Sequence, residues 1–211
     1  MKRSLVAIIL VAACACSAGA TSLNDLEKFI KTVKSARSDF SQVVSAPPRE
    51  GQVTRVKSSS GTFEFSRPGR FKFVYKKPFE QTIVADGQTL WLYDVDLNQV
   101  TARKQASVLG STPAALIASA VDLQALEVDF ALAVDGAREG LDWVLATPKS
   151  KDSALQSIRV GFRNGELAAL EILDSFGQRS VLKFSNFQPH VVMDATTFQF
   201  KPPVDSDVIR Q

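Results

Sequence analysis

The sequence predicts an α+β fold: a single incomplete, half-open antiparallel β-barrel with a helical lid over an apolar cavity. Three observations indicate it. Apolar residues alternate with polar ones along most of the chain, which is the side-chain period of a β-strand. The segments between these runs are too short for the helical crossovers that parallel strands need. Fourteen Phe, against two Trp and two Tyr, provide a large apolar surface that has to be enclosed.

A helix is predicted at about residues 23–35, before the first strand. Apolar residues recur there at helical spacing, Ser22 is a candidate N-cap, and Asp25 follows it by three residues. This helix has one apolar face, which we expect to cover the concave side of the sheet.

Strands are predicted from about residue 40 onward. The clearest alternation spans two neighbouring strands and gives one aromatic face, formed by Phe63, Phe65, Phe71, Phe73 and Tyr75. Further strands are predicted at residues 81–85, 90–94, 99–104, 130–134, 143–147, 158–162, 167–173, 181–187 and 198–200. Asn164-Gly165 is the strongest hairpin signal, since both residues tolerate the positive φ of a type I′ turn. We therefore expect one antiparallel sheet that curls to protect its edges.

A short apolar helix interrupts the strands near the middle of the chain. Thr112 is a candidate N-cap and Pro113 suits the first helical position, and the apolar residues 114–118 follow. We expect this helix to form the lid. The flanking residues 108–110 and 123–126 fit either a helix or a strand.

The first twenty residues are predicted to be a signal peptide. An apolar run at residues 5–13 follows two basic residues, and a small-residue cleavage site ends at Ala20. The exported domain would then be residues 21–211. A second interpretation stays open, because Val-Ala-Ala-Cys at residues 11–14 resembles the lipobox of bacterial lipoproteins, in which Cys14 would be acylated.

The composition argues against several classes of function. Cleavage after Ala20 removes two positive charges and no negative ones, so the formal net charge falls from +3 to +1. The sequence also lacks the stripe of basic residues expected of a nucleic-acid-binding protein. The same cleavage removes both Cys, which leaves no thiol for a disulfide. The single His and the lack of catalytic or phosphate-binding motifs argue against metal sites, cofactors and common enzyme chemistry.

Arg67 and Arg70 flank Pro68-Gly69 between the two aromatic strands, and two interpretations are open for them. Either both arginines are solvated in an exposed turn, or one guanidinium reaches across the cavity mouth and donates to carbonyls at the end of the lid. The aromatic face likewise either packs as an ordinary core or lines a ligand cavity.

Short segments in a characteristic order carry a resemblance to a known family. They are Phe-Ser-Gln at 40–42, Ser-Gly-Thr-Phe at 60–63, Arg-Pro-Gly-Arg-Phe at 67–71, Tyr-Lys-Lys-Pro at 75–78, Asp-Gly-Gln-Thr-Leu-Trp-Leu-Tyr-Asp at 86–94, Thr-Pro-Ala-Ala-Leu at 112–116, Ala-Thr-Pro-Lys at 146–149 and Phe-Gln-Phe-Lys-Pro-Pro at 198–203. Together, over residues 23–203, the chain resembles the periplasmic outer-membrane lipoprotein carrier protein (LolA) family. None of these segments is specific alone, but their order and spacing are.

This resemblance implies a periplasmic chaperone, not an enzyme, built as an open barrel closed by helices. Such a protein, expected to be a monomer, takes acylated lipoproteins from an inner-membrane ABC transporter and delivers them to an outer-membrane receptor. The family's lid-locking arginine precedes a proline, which assigns that role to Arg67, and its transfer-linked aromatic falls on Phe71. Phe73 stands where a Trp is expected, and Val204-Asp205 departs from the family's C-terminal pattern.

The resemblance and the strand pattern together define candidate site residues. The expected acyl-binding residues are Phe63, Phe65, Phe71, Phe73, Tyr75 and Trp91. The expected lid and latch residues are Arg67, Ala115, Leu116 and Ile117. Two other functions stay open: a membrane-anchored receptor or stress sensor of the same fold, if Cys14 is lipidated, and a periplasmic enzyme acting on lipid or glycan through carboxylates that sequence alone does not pair.

Overall fold

A computed structural model describes residues 21–47, 54–108 and 115–211 of the chain. The helical elements are α1 (Thr21–Thr32), α2 (Gln105–Val108), a π-helical turn (Ala115–Ser119) and α3 (Leu123–Asp129). The strands are β1 (Ser35–Ser45), β2 (Val56–Ser66), β3 (Arg70–Lys77), β4 (Gln81–Ala85), β5 (Thr89–Asp94), β6 (Gln99–Lys104), β7 (Phe130–Arg138), β8 (Leu141–Pro148), β9 (Leu155–Arg163), β10 (Glu166–Asp174), β11 (Arg179–Pro189) and β12 (Asp207–Arg210). Within the described ranges, no helix has the length and apolar character to cross a membrane.

One twelve-stranded sheet contains all of these strands, in the order β12-β6-β5-β4-β3-β2-β1-β11-β10-β9-β8-β7. Two meanders, β1 to β6 and β7 to β11, are joined where β1 pairs with β11. The outermost strands, β7 and β12, do not pair with each other, so the barrel is incomplete. The predicted open antiparallel barrel is confirmed, with one exception: β12 runs parallel to β6.

Close packing of the aromatic strands requires a glycine at one point. On β2, Gly61, Phe63 and Phe65 face inward and are buried, whereas their neighbours are only half-buried. A Cβ on Gly61 would lie 1.9 Å from the carbonyl oxygen of Val74 on β3. The register of the β2–β3 pairing shifts between Ser60 and Gly61. The backbones of β2 and β3 approach each other so closely at this point that only a residue without a Cβ fits.

The core lies between the concave side of the sheet and α1. Leu26, Phe29 and Ile30 are buried on one face of α1 and belong to the main hydrophobic cluster. Helix α1 contacts β7, β8, β9 and β10. The helix ends at Thr32 rather than near residue 35, because Ser35 already pairs with Ser66 as the first residue of β1. The predicted helix is therefore correct in position but about three residues too long at its C-terminal end.

Two predicted segments differ in the structure. Residues 198–200 do not form a strand, and the C-terminal strand is β12 instead. The ambiguous residues 123–126 belong to α3, whose N-cap, Asp122, accepts a 2.7 Å hydrogen bond from the backbone N–H of Ala125.

Several predictions fall on residues outside the described part of the chain. These are the signal peptide with its cleavage site at Ala20, the lipidation of Cys14, and the start of the lid helix at Thr112, Pro113 and Ala114.

Candidate functional site

An apolar cavity of about 270 Å³, here called the inner cavity, lies inside the barrel. Its lining residues are Phe71, Phe73, Tyr75, Ile83, Leu90, Leu92, Leu170, Ile172, Leu182 and Gln42. They come from β1, β3, β4, β5, β10 and β11, so both meanders contribute. Nine of the ten are apolar or aromatic, which suits a hydrocarbon ligand and offers almost no polar group for catalysis.

The five predicted aromatic residues take two different positions. Phe71, Phe73 and Tyr75 line the inner cavity. Phe63 and Phe65 are fully buried behind it: the ring of Phe63 stacks on Phe73 at 4.3 Å between centroids, and that of Phe65 lies 5.7 Å from Phe63. The first three therefore could touch a ligand directly, whereas the other two support them.

The predicted position of Trp91 in the cavity is wrong. Leu90 and Leu92 of β5 face the inner cavity, so Trp91 points to the opposite, convex face of the sheet. There its ring packs against Phe200 at 5.5 Å, and its indole N–H donates to the Asp86 carboxylate at 2.9 Å. Trp91 anchors the C-terminal segment on the outer face.

Arg67 lies at one end of the barrel and joins three elements. Its Nε donates to the carbonyl oxygen of Val33, just after α1, at 3.0 Å, and its Nη1 donates to that of Ala120 at 2.8 Å. The guanidinium carbon lies 5.2 Å from the ring centre of Phe29 and 5.3 Å from that of Phe65. Arg67 is only 8% exposed, and this burial lowers the pKa of its guanidinium to about 10.

The turn that follows Arg67 also holds the lid, by which we mean the π-helical turn Ala115–Ser119 together with Ala120. The backbone N–H of Gly69 donates to the carbonyl oxygen of Ala118 at 2.8 Å. Within the lid, the side chains of Ile117 and Ala118 are fully buried. The side chains of Ala115 and Leu116 lie outside the described residues.

The latch, meaning Arg67 and its two carbonyl acceptors, is not fully satisfied. Arg67 Nη2 and Ser119 Oγ are both buried and have no hydrogen-bond partner among the described residues. A buried donor without a partner costs roughly 1–3 kcal/mol. Within the described residues, this cost offsets part of what the hydrogen bonds to Val33 and Ala120 contribute.

Gln105, at the start of α2, is a site residue that sequence analysis missed. Its Nε2 donates to the carbonyl oxygen of Gly69 at 2.8 Å, and its Oε1 accepts from the N–H of Gly87 at 2.9 Å. The side chain is only 4% exposed. Gly69 thus contacts both Gln105 and Ala118, which lie on either side of residues 109–114. A glutamine at a strand end carries no sequence signal for such a role.

A larger open groove of about 710 Å³, here called the outer groove, lies at the other end of the barrel. Strand β3 starts near the latch at Arg70 and reaches the outer groove at its far end, where Tyr75 contributes to the lining. Gln42 and Tyr75 line both the outer groove and the inner cavity, so the two spaces adjoin.

Metal-binding potential is low in the described residues. They contain no group of three or more His, Cys, Asp or Glu side chains placed to hold an ion.

Comparison with known proteins identifies the family. The family model for the outer membrane lipoprotein carrier protein LolA matches residues 31–201. A protein from Albidiferax ferrireducens named outer-membrane lipoprotein carrier protein is 68% identical over 209 residues, covering 97% of this chain and 98% of the relative. A protein of the same name from Methylibium petroleiphilum is 47% identical over 211 residues, covering 100% of both chains.

A solved structure of a LolA superfamily protein from Nitrosomonas europaea covers 86% of this chain and 98% of its own length, with 15% identity and a TM-score of 0.47. The family assignment depends on the sequence matches, which extend through the latch, the aromatic strands and the lid. The chain belongs to the LolA family of outer-membrane lipoprotein carrier proteins.

Proposed function

We propose that this protein is a periplasmic chaperone that binds the acyl chains of lipoproteins and carries them in soluble form between two membranes. The observation that carries the proposal is an apolar cavity inside the barrel, with a lid held at one end by a buried arginine. Relatives that match almost the whole chain are named as carriers of this kind.

The free energy of hydrocarbon transfer explains why such a carrier needs an enclosed cavity. Burial of each acyl CH₂ is worth about 0.8 kcal/mol, so a multiply acylated cargo stays in the membrane unless a comparable apolar environment receives it. The lining of Phe71, Phe73, Tyr75 and six aliphatic side chains provides that environment. Because no covalent bond changes, the protein acts as a carrier rather than an enzyme.

The size of the inner cavity indicates that the described conformation is the unloaded one. If a methylene has about the volume of a water molecule in the liquid, about 30 Å³, then a cavity of about 270 Å³ holds about nine methylenes. An acyl chain that spans half of a bilayer's hydrocarbon core, about 15 Å, is longer than that. A loaded chain therefore extends beyond the inner cavity, into the adjoining outer groove or into space that a displaced lid opens.

The latch has a strength that acyl chains can overcome. Hydrogen bonds to a charged donor contribute about 1.5–3 kcal/mol each, and desolvation of the buried guanidinium, which lowers its pKa, offsets part of that contribution in the closed state. Burial of about five methylenes, at about 0.8 kcal/mol each, supplies a similar free energy. Arg67 can thus favour the closed lid in the empty protein and still release it on loading.

The proposed transport route completes this cycle. The signal peptide, residues 1–20, directs the chain to the periplasm, where residues 21–211 act as a monomer. An inner-membrane ABC transporter supplies the energy of extraction, and an outer-membrane receptor that binds the acyl chains more tightly takes the cargo. In this cycle Phe71, next to the latch turn, contacts the leaving chains, and Ala115, Leu116 and Ile117 form the part of the lid that moves.

A membrane-anchored form of the same fold is the second candidate, favoured by the Val-Ala-Ala-Cys sequence that ends at Cys14. The mass of the mature N-terminus separates the two. A chain that begins at residue 21 without lipid supports the soluble carrier, and a chain that begins with an acylated Cys14 supports the anchored form.

The soluble carrier is tested by release from inner-membrane vesicles that contain the transporter, ATP and a labelled lipoprotein. A matched cargo has its acylated Cys changed to Ser. We expect a soluble one-to-one complex with the acylated cargo only. If the transporter is active with an established carrier and no complex forms with this protein, the proposed function is wrong.

A further inference from the structure

We propose that Gln105 positions a second contact of the lid. Its side chain holds Gly69 so that the Gly69 backbone N–H bonds to Ala118, and in this way it sets how often the lid opens and how tightly the empty protein takes up acyl chains. The part that concerns acyl chains rests on the proposed carrier function, whereas the part that concerns the lid does not need it.

The side-chain amide of Gln105 joins two turns of the sheet. Its Oε1 accepts from the N–H of Gly87 in the β4–β5 turn, and its Nε2 donates to the carbonyl oxygen of Gly69 in the β2–β3 turn, at 2.9 and 2.8 Å. These two partners fix which way the amide points, because an N–H needs an acceptor and a carbonyl oxygen needs a donor. Only 4% of the residue is exposed, so the amide has little access to water as an alternative partner.

The β4–β5 end of this bridge is fixed independently of the lid. The backbone N–H of Gln105 donates to the carbonyl oxygen of Gln88 at 2.8 Å. The Asp86 carboxylate accepts from the N–H groups of Gln88 and Thr89 at 2.8 and 2.7 Å, which holds the turn in its shape. Gln105 is therefore a fixed point from which Nε2 donates to Gly69.

Gly69 is a residue that needs such a fixed point. Its φ is 71°, in the left-handed region, and a glycine passes between this region and others at little cost. A Cβ at this position would lie 3.1 Å from Gln105 Nε2, so the amide packs closely on the turn. On the other side of the same Cα, the N–H of Gly69 donates to the carbonyl oxygen of Ala118 at 2.8 Å. The bond from Gln105 thus fixes the orientation of the N–H that bonds to the lid.

This contact is separate from the Arg67 latch. The backbone of Arg67 has its own support, since its N–H donates to the carbonyl oxygen of Lys34 at 2.8 Å. Gln105 lines neither the inner cavity nor the outer groove. Its influence on acyl chains therefore has to pass through Gly69 and the lid, which makes it a positioning residue rather than a ligand contact.

Thiol alkylation at two buried positions measures lid opening and global unfolding separately, because residues 21–211 contain no native Cys. Ile117→Cys places a thiol in the lid, and Val160→Cys places one in β9. Both native side chains are 1% exposed, so each thiol reacts only when its surroundings open. Each reporter is purified from the periplasm, and its alkylation rate is measured without any ligand.

Two substitutions of Gln105 separate its two side-chain hydrogen bonds. Gln105→Met keeps the size of the side chain and removes both bonds. In Gln105→Glu, the ionised carboxylate still accepts from Gly87 but has no hydrogen for the Gly69 carbonyl, so this variant isolates the proposed bond. The matched control is Gln88→Met, because the side chain of Gln88 is exposed. Each substitution is combined with each reporter.

We expect alkylation at position 117 to accelerate by about fivefold in both Gln105 variants, which is the effect of losing about one net hydrogen bond. The rate at position 117 should stay well above the rate at position 160, because the lid opens without global unfolding. Gln88→Met should leave both rates unchanged.

Uptake of a ligand gives a readout that a purely structural role would not change. In an equilibrium titration, a synthetic tripalmitoylated cysteinyl peptide should bind Gln105→Met about fivefold more tightly than the unmodified protein, since a lid that opens more readily lowers the cost of leaving the closed state. A residue that only stabilises the fold would change the rate at position 160 and leave the affinity for the peptide as it is.

Each other outcome contradicts a particular step. If position 117 reacts at an unchanged rate in Gln105→Met, or only as fast as position 160, Gln105 supports the fold and not the lid. If Gln105→Glu reacts like the unmodified chain, the bond to Gly69 is not the route. If position 117 accelerates but the peptide binds with unchanged affinity, the control of uptake is wrong and the carrier function stands. If the unmodified protein does not bind the peptide, the carrier function is wrong, and the alkylation rates still decide the role of Gln105 in the lid.

Discussion

Replacement of Arg67 by Leu separates the stability of the lid from the stability of the barrel. The substitution removes the hydrogen bonds to Val33 and Ala120, which are 3.0 and 2.8 Å long. It also removes a buried charge, because desolvation lowers the pKa of the Arg67 guanidinium to about 10. A shift of this size corresponds to a desolvation cost of about 3 kcal/mol. Two charged hydrogen bonds together contribute about 3–6 kcal/mol.

These contributions largely cancel in the free energy of unfolding of the whole domain, but they do not cancel in the free energy of opening the lid. The free energy of unfolding should change by less than about 3 kcal/mol, since lost hydrogen bonds, relieved desolvation and the added apolar side chain oppose one another. The lid itself loses its bond at Ala120, worth about 1.5–3 kcal/mol, so its opening equilibrium should rise by about ten- to a hundredfold.

Amide hydrogen exchange measures this difference directly. Exchange at Ile117 and Ala118 in the lid should accelerate by that factor, whereas exchange in β9, which is paired on both sides, should follow the global stability. Arg70→Leu is the matched control, because Arg70 lies on the same turn, donates to Ser66 Oγ at 3.2 Å and stacks over Phe198. Equal lid exchange in the unmodified and Arg67→Leu proteins, or an equal effect of Arg70→Leu, would refute the assignment of Arg67 as the latch.

Three further predictions concern the support of the site. Gln105→Leu leaves the carbonyl oxygen of buried Gly69 without its partner and removes the part-buried hydrogen bond from the N–H of Gly87, so it should destabilise the protein by about 2–4 kcal/mol in urea unfolding. Gln88→Leu, on an exposed side chain, should be neutral. Burial raises the pKa of the Asp86 carboxyl, but hydrogen bonds from Thr89, Trp91 and Gln88 outweigh this effect, so the pKa is lower in the folded protein. Asp86→Asn should therefore lower the free energy of unfolding fully at pH 7, and this loss should disappear as the pH falls through the lowered folded-state pKa. An equal loss at pH 7 and pH 2 would contradict this. Gly61→Ala should cost more than about 3 kcal/mol, because its Cβ would lie 1.9 Å from the Val74 oxygen, and an unchanged denaturation midpoint would show that β2 and β3 can separate there.

Alternation and turn chemistry predicted most of the sheet, because both are local properties of the chain. Asn164 and Gly165 have φ of 53° and 80° and connect β9 to β10, where Arg163 pairs with Glu166. The same rule of alternation places Leu90 and Leu92 on one face of β5 and Trp91 on the other. Trp91 lies in a segment that resembles the family, but alternation with Leu90 and Leu92 puts its ring on the convex face and not in the cavity.

Other features depend on contacts between distant parts of the chain, which local patterns do not contain. Phe198 and Phe200 look like a strand because they alternate, but they cover the convex face, with Phe200 on Trp91 and Phe198 under Arg70. The short strand β12 forms because the edge of β6 is free to pair with it. The role of Gln105 is not predictable from sequence, because its amide oxygen and nitrogen bond to Gly87 and Gly69, which come close to it only in the folded protein.

The central claim is that the barrel carries acyl chains, and native mass spectrometry tests it most directly. The exported protein is mixed with a triacylated lipoprotein in detergent, the detergent is removed, and the mass of the resulting complex is measured. The account predicts one cargo per protein with the acylated form and none with the same lipoprotein lacking its acyl chains. Equal binding of both forms, or binding of neither, would contradict it.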